Sequence, residues 1–302
     1  MKFLAEYIMR GRWQAAMVAS ALAFLSLLLP PASLLSSAAI ALVTLRRGAH
    51  DGAFVMLTAC AVGALMSIIL LGNYIFALVY GVVLWLPIWI VAIILRESRR
   101  LSLVLELSVI FGAIIIVAAY LLIPDPSGLW RQILTAVVEP MLSQVENSEI
   151  EVQQAISNMS KFMTGMLVTG YISGILLGLF LGRWWQSVLY NPGGFRQEYL
   201  ALKAHPVFAI VSVIVLLAAI LSSGMLSEVS WNIAIPIFMF YVFIGTAIAH
   251  SLIAAMKAKT YLLPVFYVLL FLIPHALLPV ALMGLSDTWF NLRNKAPMNT
   301  GV

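Results

Sequence analysis

Apolar residues fill the chain in long stretches, separated by short basic or turn-rich connectors. The stretches are Trp13–Leu29, Ala32–Leu45, Ala53–Leu71, Tyr74–Leu95, Leu103–Ile123, Phe162–Gly182, Val207–Gly224, Trp231–Met256 and Tyr261–Leu285. Most approach the ~20 residues that a helix needs to cross a hydrocarbon core of ~30 Å, and a lone segment in lipid satisfies its backbone only as a helix. The pattern predicts an all-α transmembrane bundle of about 8–9 membrane segments, with residues 1–302 as one integral membrane domain. Ala32–Leu45 is short, so it is either a compact second span or a re-entrant piece. Pro264, Pro274 and Pro279 interrupt the last stretch, which predicts a kinked or broken helix or a hairpin that does not cross.

Two connectors depart from the pattern. Residues 124–161 form an acidic insert, with Asp125, Glu139, Glu146, Glu149 and Glu151 against Arg131 and Lys161. Its apolar residues Ile133, Val137, Met141 and Val145 recur every four positions. That spacing predicts an amphipathic helix, broken or bent near Pro140, lying on the membrane or capping the bundle. Residues 183–206 read as an aromatic, turn-rich connector. Within it Trp184, Trp185 and Tyr190 suit headgroup depth, and Asn191-Pro192-Gly193-Gly194 force a turn. The connector is either an interfacial anchor or a docking loop for a cytoplasmic protein.

Charge changes the picture only by its placement. Charged residues are 10% of the chain and hydrophobic ones 63%, with a mean hydropathy of +1.05; a soluble domain carries about 25% charged residues. The net charge of +5 sits in short loops beside apolar spans, where basic residues orient a membrane protein rather than bind nucleic acid. With the N-terminus in the cytoplasm and the spans alternating, the inside holds Lys2, Arg10, Arg12, Arg46, Arg47, Arg96, Arg99, Arg100, Arg183, Arg196, Lys203, Lys257 and Lys259. The acidic insert then faces out, and Arg293 and Lys295 favour an inside tail. Lys2, Arg10 and Arg12 ahead of Trp13–Leu29 imitate a signal peptide, but the many spans that follow favour an uncleaved anchor.

The candidate chemistry is sparse. Cys60 is the only cysteine, so the chain offers no internal disulfide and no cysteine-based metal site. No Gly-x-x-x-x-Gly-Lys phosphate loop occurs, so ATP-driven work needs a partner. No catalytic triad, carboxylate pair or metal pair assembles, which reads as a protein that is not an enzyme and needs no cofactor. Glu106, His250 and His275 lie inside spans, where ionisable groups are costly and are ligand-binding candidates by default. His275 is the sharpest of the three, because it sits at a proline break that frees backbone carbonyls.

Small residues supply the clearest spacing. Gly170, Gly174, Gly178 and Gly182 recur every four residues and share one helix face, cutting a groove where another backbone can approach. The groove serves either packing within the bundle, the commoner use in a polytopic chain, or a dimer or partner face. Gly11, Ala15, Ala19 and Ala23 make a second row on the first span, a terminal helix with fewer neighbours in the chain, which favours an external partner.

Several short stretches carry a family resemblance. They are Leu45-Arg46-Arg47-Gly48, Trp85-Leu86-Pro87, Leu95-Arg96-Glu97-Ser98, Gly182-Arg183-Trp184-Trp185 with Tyr190-Asn191-Pro192-Gly193-Gly194-Phe195, and Gly284-Leu285-Ser286-Asp287 with Asn291-Leu292-Arg293. On these the chain resembles the YybS-like bacterial membrane proteins, a family of unknown function. That family is distantly similar to the substrate-binding subunits of energy-coupling-factor vitamin transporters. The resemblance implies a bacterial inner-membrane location, an architecture whose first six helices are like those subunits, and docking of a membrane coupling subunit through Ala15, Ala19 and Ala23. The extra spans after Gly182 and the acidic insert depart from that pattern, and no vitamin-binding signature is present.

Two readings follow. One is a substrate-binding or transport-related component that draws energy from partners; a deep polar pocket at the outer ends of the first six helices would mark it. The other is a membrane assembly factor acting through the glycine helix and the 183–206 connector, marked by a solid bundle and a lipid-facing groove.

Overall fold

The computed structural model describes residues 1–142, 149–255 and 261–295. Val145, Glu146, Met256, Lys257 and Lys259 lie outside the described residues, as do the side chains of Pro140, Met141, Glu149 and Lys295. The secondary structure of the described residues is helical, with no strand. In chain order the α-helices are α1 (Lys2–Arg10), α2 (Arg12–Leu25), α3 (Ala32–Arg47), α4 (Ala49–Leu71), α5 (Ile75–Tyr80), α6 (Leu86–Ser98), α7 (Leu101–Leu122) and α8 (Pro126–Leu142). They continue as α9 (Glu149–Ser160), α10 (Met163–Tyr190), α11 (Gly194–Leu200), α12 (Pro206–Leu221), α13 (Gly224–Ala255), α14 (Leu262–Leu272) and α15 (Leu277–Phe290).

Five helices are long and apolar enough to cross a membrane: Ala49–Leu71, Ile75–Ser98, Leu101–Leu122, Met163–Tyr190 and Gly224–Ala254. A sixth candidate is the pair Leu262–Leu272 and Pro274–Phe290, bent by 114°. The chain is therefore a multi-pass membrane protein. The larger sequence-based number requires α2, α3 and α12 to cross as well, with 14, 16 and 16 residues. At 1.5 Å per residue these reach roughly 21–24 Å, short of a ~30 Å core.

Three expectations differ from the structure in detail. Arg183–Tyr190 are not loop but the last turns of α10, so the connector shrinks to a turn and the short α11. Ser227 and Glu228 lie inside α13, and the turn falls at Ser222 and Ser223. Helix α8 continues past Pro140 to Leu142. The proline break near His275 is present: Pro274–Ala276 form a 3-10 turn between α14 and α15.

The chain divides into two compact units, Met1–Leu105 with Ser173–Ala201, and Glu106–Ile172 with Leu202–Val302. In the first unit α3 is the central element, buried from Ser36 to Leu45 and packed by α2, α4 and α6. Small residues allow this. Ala15, Ala19 and Ala23 face the interior of the unit, and at Gly52 of α4 a Cβ would come within 2.9 Å of Thr44 Cβ. The buried Ser36 hydroxyl is paired, as apolar surroundings demand: it donates to Ala19 O at 2.7 Å and accepts from Trp85 Nε1 at 3.0 Å. Between α5 and α6 the helix widens to a π turn over Gly81–Trp85. Pro87 follows at once and has no N–H to give to the turn beneath it.

In the second unit α13 packs on α15 and α12. Gly245 and Gly284 sit where α13 and α15 cross, and a Cβ on Gly284 would overlap the Tyr241 carbonyl oxygen and come within 2.9 Å of Gly245 N. Asn232 ties three segments together. Its Nδ2 lies within hydrogen-bond distance of Lys161 O (2.7 Å), Glu228 O (2.8 Å) and Tyr120 Oη (3.1 Å), which share its two hydrogens, and its Oδ1 accepts from Gly165 N at 2.6 Å.

Candidate functional site

Three arginine-bearing segments of the first unit converge on one cleft. It has a volume of about 470 Å³ and is lined by Leu45 and Arg46 of α3, Leu95, Arg96, Glu97 and Arg99 at the end of α6, Arg183 and Gln186 of α10, and Glu198 of α11. Leu45 and Leu95 are buried and form its apolar floor.

Local chemistry explains the convergence. Gly178 and Gly182 let α10 lie close to α3: a Cβ at Gly182 would meet Ala41 Cβ at 2.8 Å and Ala38 O at 3.0 Å, and one at Gly178 would meet Ser37 Cβ at 3.0 Å. Helix α3 ends at Gly48, whose φ of 109° suits glycine. A helix end leaves its last carbonyls without intrahelical donors. Here Leu45 O accepts from Arg96 Nη1 at 2.7 Å and from Gln186 Nε2 at 3.3 Å. The negative end of the helix thus draws in an arginine.

Helix α11 is folded back by the turn at Asn191-Pro192-Gly193, with Gly193 at φ 86°. Ser187 clamps it, donating to Asn191 O at 2.7 Å and accepting from Phe195 N at 3.1 Å. Phe195 and Tyr199 then pack on Phe180, with ring centroids 5.9 and 6.0 Å apart. This brings Glu198 onto Arg183 in a two-pronged pair, Nε to Oε2 at 2.9 Å and Nη2 to Oε1. Arg183 Nη1 also donates to Gln186 Oε1 at 3.0 Å, and its side chain is only 11% exposed. Arg46 lies over the Tyr190 ring, 4.1 Å from the centroid. Arg96 Nε stands 3.8 Å from Glu97.

The residues singled out from sequence fall in different places. Arg183 lines the cleft, Asn191, Pro192, Gly193 and Gly194 build the turn that positions Glu198, Trp184 is exposed and Trp185 is fully buried. Glu106 accepts from His205 N at 2.6 Å and so satisfies the chain entering α12. His250 Nε2 is 2.7 Å from Tyr267 Oη, and His275 is exposed at the bend. These three candidates are not brought together. No cluster of His, Cys, Asp or Glu able to hold a metal occurs among the described residues.

The glycine row is used unevenly. Gly178 and Gly182 pack on α3, whereas nothing lies within 4 Å of a Cβ built on Gly170 or Gly174. Gly174→Leu is therefore expected to leave thermal stability near wild type, and Gly182→Leu to lower it sharply by overfilling a backbone contact. Thermal unfolding in mild detergent checks both. A Gly174→Leu variant that keeps its stability but changes oligomeric state on size exclusion would show that this half of the groove meets another chain.

A second hollow, of about 490 Å³, lies between α4 and the α5–α6 segment, lined by Met56, Leu57, Cys60, Ala64, Gly81 and their apolar neighbours. It offers few groups to orient a polar ligand. The arginine cleft is polar, and it opens at the basic ends of α3 and α6, opposite the Gly72-Asn73 turn. The transport reading called for a pocket at the outer ends, and in the orientation predicted from charge these are the inner ends; the missed signal was the recurrence of arginine at helix C-termini. No family model, curated protein or solved structure matches this chain.

Proposed function

We propose that the chain is a substrate-binding or transport-related membrane component without an ATPase of its own, residing in a bacterial inner membrane with its basic ends in the cytoplasm. The arginine cleft carries the reading: a polar cavity of small-molecule size, built from four helices of one unit, is the kind of concave site in which small ligands bind. We assign it no catalytic step. The resemblance to YybS-like proteins, and through them to energy-coupling-factor substrate subunits, points the same way and names a coupling subunit with ATPases as the partner.

Affinity purification of the full chain from native membranes in mild detergent tests this. The expected result is recovery of a membrane coupling subunit with its ATPases. The alanine row is a poor place to disrupt that complex, because Ala15, Ala19 and Ala23 are buried and Ala19→Leu would overpack the first unit. Gly170→Leu, at an exposed position with open space around it, is the cleaner variant. Recovery of the chain alone would contradict the transport reading. Loss of self-association in Gly170→Leu would favour the second reading, an assembly factor that uses the open half of the glycine row.

A further inference from the structure

We propose that the arginine cleft of the first unit binds a phosphate-bearing anion. The proposal rests on the substrate-binding reading above and names the ligand class for that same site. Charge comes first. Four arginines, Arg46, Arg96, Arg99 and Arg183, line the cleft against two glutamates, Glu97 and Glu198, a formal surplus of two positive charges. A phosphomonoester carries about −1.5 to −2 at neutral pH, which matches that surplus. Guanidinium forks pair two phosphate oxygens at once, and they are less strongly hydrated than ammonium groups.

The four arginines are not equivalent. Arg183 is held by Glu198 and Gln186, and Arg96 by the Leu45 carbonyl, so both are fixed parts of the wall. Arg46 and Arg99 are exposed at the rim. Arg46 is supported from one face by Tyr190, which leaves the N–H edges of its planar fork to a partner in that plane.

Arg99 supplies an independent observation. It caps α6 with φ 54° and ψ 23°, a left-handed conformation that glycine or asparagine adopts more easily. Strained residues of this kind cluster at ligand sites, where the side chain does something that the best backbone residue could not. Here the side chain delivers a charge to the cleft mouth.

Size narrows the ligand. A cleft of about 470 Å³ lies in the range of roughly 300–1,000 Å³ typical of small-molecule sites, and inorganic phosphate alone would leave most of it empty. The buried Leu45 and Leu95 floor suits the carbon portion of a phosphate ester. Such an ester is either water-soluble or the headgroup of a phospholipid that ends in a phosphomonoester, phosphatidic acid being the simplest, since the cleft opens at the end of a candidate span, Ile75–Ser98.

The test uses the full chain in two settings. In mild detergent, thermal unfolding is followed against glycerol 3-phosphate and inorganic phosphate, with sodium chloride at matched ionic strength as the reference. In nanodiscs, it is followed in phosphatidylcholine with and without phosphatidic acid. Saturable stabilisation by glycerol 3-phosphate above the chloride reference assigns a soluble ester, and selective stabilisation by phosphatidic acid assigns a headgroup. In either case Arg99→Gly and Arg46→Gln should each raise the half-saturation concentration by about tenfold or more, as loss of a charged hydrogen bond implies. Arg99→Gly should do so with an unliganded Tm at or above wild type, because glycine fits that backbone. The proposal is overturned if no phosphate probe exceeds chloride, or if both variants keep wild-type half-saturation. Partner recovery is read separately, so a chain that captures a coupling subunit but ignores phosphate keeps the transport reading and loses this ligand assignment.

Discussion

Asp287→Ala is expected to destabilise the second unit by about 3–5 kcal/mol, the usual cost of removing one partner of a buried ion pair. The Asp287 carboxylate is 3% exposed; Oδ2 stands 3.4 Å from Arg293 Nε, and Oδ1 accepts from Leu292 N at 2.8 Å. Arg293 in turn donates to the Leu202 carbonyl, so this cluster joins the end of α15 to the chain entering α12. Burial draws the Arg293 pKa down, and Asp287 pushes it back up. Alanine would leave the guanidinium with the burial and without the compensating charge, and would strip the Leu292 amide of its acceptor. Asp287→Asn keeps an acceptor for that amide and should lose less. Thermal unfolding of the two variants in the same detergent orders them, and an alanine variant as stable as wild type would mean that the pair contributes nothing.

Gly284→Ala should be the next most damaging change, at the upper end of the roughly 1–3 kcal/mol that overpacking costs. Its Cβ would overlap a carbonyl oxygen of α13, and backbone cannot rotate away as a side-chain tip can. Gly245→Ala meets the same wall from the other side, with its Cβ 2.7 Å from Val280 C. Both variants should therefore push α13 and α15 apart, and combining them should cost less than the sum of the two, because the helices separate once. Additive losses in the same unfolding assay would show two independent sites and contradict a shared crossing.

The membrane class was legible because it rests on local runs of apolar residues, and such runs need no knowledge of neighbours. The break at Pro274 was legible for the same reason, since proline acts on its own helix. Tertiary pairing was not. Gly245 and Gly284 are isolated glycines in sequence, yet they face each other across a close crossing of α13 and α15, while the conspicuous row from Gly170 to Gly182 meets α3 only at its last two members. Arg183, Trp184 and Trp185 read as loop because aromatic and basic residues suit an interface, but α10 simply continues to Tyr190. The candidate site shows the limit most clearly. Arginine at the ends of α3, α6 and α10 follows from the charge bias that orients membrane proteins, and that bias says which side the residues share, not that three segments line one cleft.

Native mass spectrometry of the full chain, released intact from mild-detergent micelles, tests the ligand cleft most directly. The expected spectrum shows wild-type chain retaining one phosphate-bearing species, soluble ester or phospholipid, and the Arg46→Gln/Arg99→Gly double variant appearing bare. A wild-type chain that emerges bare, or a double variant that retains the same species to the same extent, would contradict the account.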